Sequence, residues 1–286
     1  MQVRQRGGEV EITGICDFNL QRIFECGQCF RWDADINGDY TGVAFGRAAR
    51  LRYESGVDGL RVFISGSLDD FESIWRGYFD LDRDYEQIRK RLSIDDYMKA
   101  ASDFGKGIRI LRQDKWEALC SFIISQCNNI PRIKGIISAL CREFGDEIEF
   151  EGGIHFAFPS AERVAALSES DLAPLRCGYR AEYIISAARA VAEGGVCLDK
   201  LTMLEPSEAR AELKKLRGVG DKVADCAALF GLHMLDSFPL DVWMKRAIKE
   251  QYGKGFDPAV FSPYAGIAQQ YIFYYARSLG QNSADF

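Results

Sequence analysis

Lys222, in GVGDKVADC, and Asp241, in FPLDVWMKR, stand 19 residues apart, and their surroundings give each a route to chemistry. Lys222 falls in the first turn of a helix that follows a Gly-x-Gly turn, where a positive side chain opposes the helix dipole. A lysine amine in its neutral form can attack an electrophilic carbon and form a Schiff base. Asp241 stands immediately before an amphipathic helix, with Pro239 stiffening the approach. That is an N-cap position. A carboxylate there can also stabilise positive charge developing in a transition state. The plainer readings are a solvated surface lysine and a cap with no further role.

A second candidate is Cys26-x-x-Cys29 in FECGQCFRW. A zinc site needs about four ligands. No second Cys-x-x-Cys occurs, and His155 and His233 are distant in sequence. A thioredoxin-like motif opens a helix in a βαβ unit, whereas the FRW that follows reads as a strand. The nine cysteines are odd in number and several sit in apolar runs such as EALCSFII and VADCAALF. Most are therefore expected to be reduced core residues. Neither a metal nor a cofactor is expected.

These residues must be positioned by a chain of 286 residues, long enough for about two domains. With 47% hydrophobic and 27% charged residues, the composition is that of a globular protein. The most apolar runs are too short for a bilayer span, and the first residues carry no apolar signal core. The expected location is the cytoplasm. Net charge is -6, which argues against a general nucleic-acid coat but leaves room for a local basic face. Residues 104–135 carry six Lys/Arg against two Asp/Glu, and residues 206–254 carry nine against seven.

Residues 1–98 alternate apolar and polar positions, broken by NGD and SGVDG, which are hairpin signals. Helical patterns LDDFESIWRGYF and DYEQIRKRLS close this part. From residue 99 the reading is helical throughout. Asp114 is a candidate N-cap for DKWEALCSFIISQCNN, and Pro131 and Gly145 bracket the next helix. The predicted class is α+β: a small N-terminal antiparallel sheet with helices (1–98), then a mostly α-helical domain (99–286). In the latter, ELKKLRGVGDKVADCAALFGL reads as helix, tight turn, helix. Gly218 and Gly220 permit the turn, and the N–H groups around Val219 to Lys222 are expected to be free for an anion such as a DNA phosphate. An ordinary helical hairpin with a glycine cap is the alternative.

LRGVGDKVADCAALF followed by FPLDVWMKR resembles the helix-hairpin-helix and Gly/Pro-Asp motif of a DNA glycosylase superfamily. GQCFRW, GIRILRQDKWEALCSFIISQCNNIPRIKG, CGYRAEYI, PLDVWM and YAGIAQQYIF extend the resemblance over most of the chain, to the 8-oxoguanine DNA glycosylase/AP lyases. The resemblance implies that Lys222 displaces the damaged base and holds the sugar as a Schiff base, with β-elimination nicking the strand. Asp241 would stabilise the developing oxocarbenium charge. Gly218, Val219 and Gly220 would grip a phosphate. Cys226 and Phe273 would sandwich the flipped base, Gln269 would bond its Watson–Crick edge, and the Gly27 carbonyl would accept from N7–H, which guanine lacks. Arg132 and Arg180 would read the opposite cytosine, with Tyr179 as wedge. The implied partner is double-stranded DNA containing 8-oxoguanine, engaged by a monomer and without a membrane.

Two positions depart from the family pattern. Cys127 stands where the family has the first of three asparagines, and Cys is a weak hydrogen-bonding group. Trp243 replaces a phosphate-contacting histidine, so an altered DNA contact is expected there. The last cysteine is Cys226, so no iron–sulfur cluster of the kind some related glycosylases carry is expected. Two alternatives remain open: a monofunctional alkylated-base glycosylase of the same fold, against which Lys222 counts, and a non-catalytic damaged-DNA binding protein, against which Lys222 and Asp241 together count.

Overall fold

The computed structural model describes residues 1–56 and 59–282. Six strands, β1 (Gln2–Arg6), β2 (Glu9–Thr13), β3 (Trp32–Ala34), β4 (Tyr40–Ala44), β5 (Arg47–Gly56) and β6 (Gly59–Ser65), form one sheet in the order β1-β2-β6-β5-β4-β3. Every neighbouring pair is antiparallel. At the NGD turn the Asp35 carboxylate accepts from the Asn37 and Asp39 N–H groups, and Gly38 takes φ +83°. SGVDG brings Gly56 opposite Gly59, and Val57 and Asp58 between them lie outside the described residues.

Helix α1 (Leu20–Glu25), capped by Asn19, lies between β2 and β3 in the chain. After the sheet, α2 (Leu68–Asp70), a π turn (Phe71–Trp75) and α3 (Arg76–Tyr78) run on as one helical stretch, started by a Ser67–Asp70 capping box. Aromatic side chains dominate this core. Trp32 stacks on Phe24 at 4.5 Å and donates its indole N–H to the Tyr78 hydroxyl at 2.8 Å.

The helical part comprises α4 (Tyr85–Leu92), α5 (Asp96–Phe104), α6 (Lys115–Ile124), α7 (Ile130–Phe144), α8 (Ala161–Ala165), α9 (Glu169–Leu172), α10 (Arg180–Ala192), α11 (Leu198–Leu201), α12 (Pro206–Leu213), α13 (Asp221–Phe230), α14 (Val242–Gln251) and α15 (Ala265–Asn282). Asp84, Asp95, Asp114, Asn129, Ser160 and Asp241 each accept an N–H of the first turn, which is why these helices begin where they do. Helix α6 is the hub: almost all its residues are buried, and it packs on α10 and α13. Helix α15 packs on α5 and α14. No helix among the described residues is long and apolar enough to cross a membrane.

Two expectations need correction. The region from 99 onward is not all helix: β7 (Glu147–Phe150) and β8 (Gly153–Phe156) form a hairpin. Its signal, EIEF and GIHF alternating about Glu151–Gly152, is present in the sequence but short. Of FRW, only Trp32 belongs to a strand. Arg31 instead turns inward and pairs with half-buried Glu117 of α6 at 3.1 Å.

The two halves interlock. The helical core takes in Cys26 and Phe30 from the N-terminal part, while the sheet core takes in Leu111. Between them Arg109, 2% exposed, donates to the carbonyls of Cys16, Asp17 and Asp80 at 2.8–2.9 Å.

Candidate active site

The turn between α12 and α13 is shaped by one close approach. Gly218 has φ +80°, and a Cβ there would lie 2.3 Å from the ring of Tyr183. Only glycine fits such a position. Gly220 precedes α13 as its N-cap and faces open space. The Val219 N–H is not free as expected: it closes the turn onto the Leu216 carbonyl at 3.1 Å. No acceptor is found among the described residues for the N–H groups of Gly220, Asp221, Lys222 and Val223. The cationic groups beside them are partly occupied, since Lys214 and Arg210 pair with Asp221 at 2.6 and 2.9 Å.

Lys222, one position into α13, projects its Nζ to the Ser125 hydroxyl at 2.8 Å and lies 5.1 Å from the centre of the Phe122 ring. Ser125 donates in turn to the Phe122 carbonyl at 2.8 Å. The amine is thus oriented by the end of α6, a contact that sequence reasoning missed. Four residues along α13, Cys226 is buried. Burial pushes its thiol up to about 11, with the Lys222 charge pulling down and Asp225 and Asp241 pushing up. The thiol therefore presents a neutral surface at physiological pH, within the fields of both Lys222 and Asp241. Asp241 accepts the Met244 N–H at 2.8 Å as the cap of α14. It is not in ion-pair contact with Lys222. Trp243 lies against Gly280, where a Cβ would come within 2.3 Å of the indole, so its ring ties α14 to α15.

On α15, Gln269 is buried and its Oε1 has no hydrogen-bond partner among the described residues. Four residues on, Phe273 approaches Gly27: a Cβ built on that glycine would lie 3.4 Å from the ring. Gly27 has φ +83°. Its loop is held by residues the sequence did not single out. Gln270 donates to the Cys26 carbonyl at 2.6 Å, Arg277 to the Glu25 carbonyl at 3.0 Å, and Gln113 to the Gln28 carbonyl at 2.7 Å. The Gln28 amide bonds the Ile23 and Arg109 carbonyls and the Leu111 N–H. Of the four carbonyls from Glu25 to Gln28, only that of Gly27 has no donor among the described residues. The one available hint was a pair of adjacent amides, Gln269 and Gln270, inside an apolar helix.

Cys26 and Cys29 belong to different cores. Burial pushes the Cys26 thiol up to about 11 and raises that of Cys29 further. Neither is disulfide-bonded, and no metal-ligating cluster is found among the described residues.

The remaining candidates gather about the turn between α6 and α7, just beyond Ser125. Tyr179 is 53% exposed, and the Arg180 guanidinium lies 4.6 Å from the centre of its ring. Partial desolvation, then the neighbouring Cys127 thiol, raises the Tyr179 hydroxyl above its usual value. Arg180, only 4% exposed, donates to the carbonyls of Gln126, Cys127 and Cys177. Arg132 is exposed and makes one bond, to the Arg176 carbonyl at 3.2 Å. Ile130 links this group to Gly27, at 3.8 Å from the built Cβ. Phe30 and Phe122, in edge contact at 5.8 Å, link the Gly27 loop to Lys222.

The chain is similar to known proteins over most of its length. The family model described as the N-terminal domain of 8-oxoguanine DNA glycosylase matches residues 13–119, and that of the HhH-GPD superfamily base excision DNA repair proteins matches residues 120–257. An N-glycosylase/DNA lyase of Saccharomyces cerevisiae is 33% identical over 255 residues, covering 82% of this chain and 68% of the yeast protein. The structure of MBOgg1 with a low-affinity DNA ligand superposes with a TM-score of 0.92 at 45% identity, over 98% of this chain and 99% of that one. The Clostridium acetobutylicum 8-oxoguanine glycosylase/lyase, bound to double-stranded DNA with cytosine opposite 8-oxoG, superposes with a TM-score of 0.91 at 36% identity, over the same shares.

Proposed function

The chain belongs to the 8-oxoguanine DNA glycosylases of the HhH-GPD superfamily, and from that premise we propose that it excises 8-oxoguanine opposite cytosine through a Lys222 Schiff base and then nicks the strand. The glycosylase and lyase activities follow the relatives' shared chemistry. The assignment of roles to residues is our reading of the geometry.

The observation that carries it is the unpartnered Gln269 Oε1. A buried acceptor without a donor costs about 1–3 kcal/mol, and a guanine-type base supplies N–H donors on its Watson–Crick edge. Gln269 and Phe273 share a face of α15, and Phe273 meets Gly27, whose carbonyl also lacks a donor. A base entering between Cys226 and Phe273 would satisfy both acceptors only if N7 carries a hydrogen. Guanine offers a lone pair at N7 and would leave the Gly27 carbonyl unpaired and repelled.

Lys222 then attacks C1′. The bond from C1′ to the base breaks, and the base leaves with the electron pair and takes a proton. Opening of the sugar gives the imine. Loss of a 2′ proton expels the 3′ phosphate. Asp241 stabilises the positive charge that builds on the sugar as the base departs. The N–H groups at the start of α13 hold a phosphate of the same strand, and the Gly218–Gly220 turn lets the backbone approach it. Arg132 is the guanidinium most available to the opposite cytosine. Arg180 can join it only by giving up bonds to backbone carbonyls, and Tyr179 is the exposed ring that could fill the gap. On this division residues 1–98 supply Gly27 and residues 99–286 supply the rest. We place the work in the cytoplasm, on chromosomal DNA.

Borohydride trapping on duplex with 8-oxoguanine opposite cytosine tests the reading. We expect a covalent adduct with the native protein. Lys222→Gln should give none while still binding lesion DNA. Persistent nicking of lesion DNA by Lys222→Gln would show that another group is the nucleophile.

A further inference from the structure

Three residues on one face of α15, at positions 270, 273 and 277, meet three consecutive residues where α1 ends and the loop to β3 begins. Gln270, 2% exposed, donates to the Cys26 carbonyl at 2.6 Å. The Phe273 ring abuts Gly27, 3.4 Å from where a Cβ would stand. Arg277 donates to the Glu25 carbonyl at 3.0 Å, and its guanidinium carbon lies 5.9 Å from the Phe273 ring centre. The spacing of three and four residues is that of a single helical face. From the other side, Gln113 and the Gln28 amide fix the loop to the 109–113 segment. The loop and the helix are 244 residues apart in sequence, so nothing local holds them in register.

We propose that Gln270 and Arg277 are positioning residues for lesion readout: they lock the Gly27 carbonyl to the helix that carries Phe273 and Gln269, so that one rigid unit stacks the base and tests its N7 edge. The proposal rests on the assignment of Gly27 and Phe273 made above. A discriminating group must be held within about 0.5 Å of its productive position. A carbonyl on a mobile loop could swing aside from guanine's N7 and lose its power to reject it. Filling the Glu25 and Cys26 carbonyls from α15, and the Gln28 carbonyl from Gln113, leaves the Gly27 oxygen free and fixed at once. The Gln270 bond is the stronger constraint, because it is buried and adjacent to Gly27. Arg277 adds the second tether and packs its guanidinium beside Phe273.

The test separates reading the base from processing the sugar. In a Lys222→Gln background, equilibrium binding is measured for duplexes carrying 8-oxoguanine or guanine opposite cytosine. In the Lys222 background, nicking of a preformed abasic site is measured. Gln270→Ala should reduce the preference for 8-oxoguanine about tenfold, the scale of one lost buried hydrogen bond, with nicking of the abasic site unchanged. Arg277→Met, which keeps an apolar stem beside Phe273, should shift the preference in the same direction by less. An unaltered preference in Gln270→Ala, or a matching loss of abasic-site nicking, overturns the proposal. If Gln270→Ala does not fold, Arg277→Met decides, and an unaltered preference there overturns it. Gly27→Ala distinguishes the premise from the inference. A preference retained in Gly27→Ala sinks the reading of Gly27 itself. A preference lost there but kept in both α15 variants sinks the positioning role alone.

Discussion

Lys222 rests its amine on a hydroxyl, not a carboxylate, and this sets what Ser125 contributes. Ser125 orients the amine without a full opposing charge. Ser125→Ala removes one hydrogen bond to the proposed nucleophile, and bonds to charged groups carry about 1.5–3 kcal/mol. We expect single-turnover excision and borohydride trapping to fall together, by about tenfold, with lesion binding retained. Cys127 makes the second argument at this scale. Its φ is +46°, a left-handed backbone that asparagine adopts more readily than most residues. Cys127→Asn should therefore leave thermal stability equal or higher. It should also sharpen the preference for cytosine, because an amide offers a stronger donor than a thiol. Excision rates with each of the four bases opposite the lesion would measure this. The roles of Cys226 and Phe273 were the least legible of the candidates, since a buried thiol and a phenyl ring on helical faces look the same whether they pack a core or line a slot.

At the scale of elements, Asp241 caps α14 and, on the proposed reading, also serves catalysis; substitution can part the two. Asparagine caps a helix about as well as aspartate but carries no charge. Asp241→Asn should melt within a degree or two of the native protein while excision falls by about a hundredfold or more, the loss typical of one transition-state stabilising group. Asp241→Ala should lose activity similarly and also about 1 kcal/mol of stability with the cap. Equal melting of the Asn and Ala variants would show that the cap contributes nothing to α14. Caps and turn glycines were legible along the chain because their chemistry is local: Asp114, Asp241 and Gly218 act within a few residues of themselves. The β7–β8 hairpin and the inward turn of Arg31 were not. Short alternating segments are ambiguous in isolation, and Arg31 is drawn out of the strand by Glu117, 86 residues away.

Across the whole molecule, Asp80 is a junction. Burial alone would raise its carboxyl, but His233, Arg83 and their hydrogen bonds outweigh that and hold it below the usual carboxylate range. It meets Arg83 at 2.7 Å, Arg112 at 3.3 Å, the Tyr85 hydroxyl at 3.1 Å and His233 at 3.4 Å, so it joins the end of the sheet half to α4, the 109–113 segment and the turn after α13. A carboxyl depressed in the folded state contributes stability above its unfolded value, near pH 4, and that contribution is lost as pH falls through the folded value. Asp80 also has φ +49°, which asparagine tolerates. Asp80→Asn should thus isolate the charge. We expect a loss of about 3 kcal/mol near neutral pH, typical of breaking a buried pair, and a shallower fall in stability below about pH 4. Urea titrations across that range would check both.

By itself the sequence determined the class of fold, the hairpin, the capped helix that bears Asp241 and, through its resemblance, the chemistry. These are carried by spacing and by residue types whose preferences act over one or two turns. Only the tertiary structure decided that Lys222 leans on Ser125, that Arg180 is turned onto backbone carbonyls, and that Gln270 and Arg277 hold the loop of Gly27. Each of these is a contact between segments from 53 to 252 residues apart. It exists because burial leaves polar groups no water to bond, so that they must find whatever partner the packing brings near. The Cys26-x-x-Cys29 spacing shows the converse. Its two thiols are neighbours in sequence, yet the fold sends them into different cores and leaves the glycine between them against Phe273.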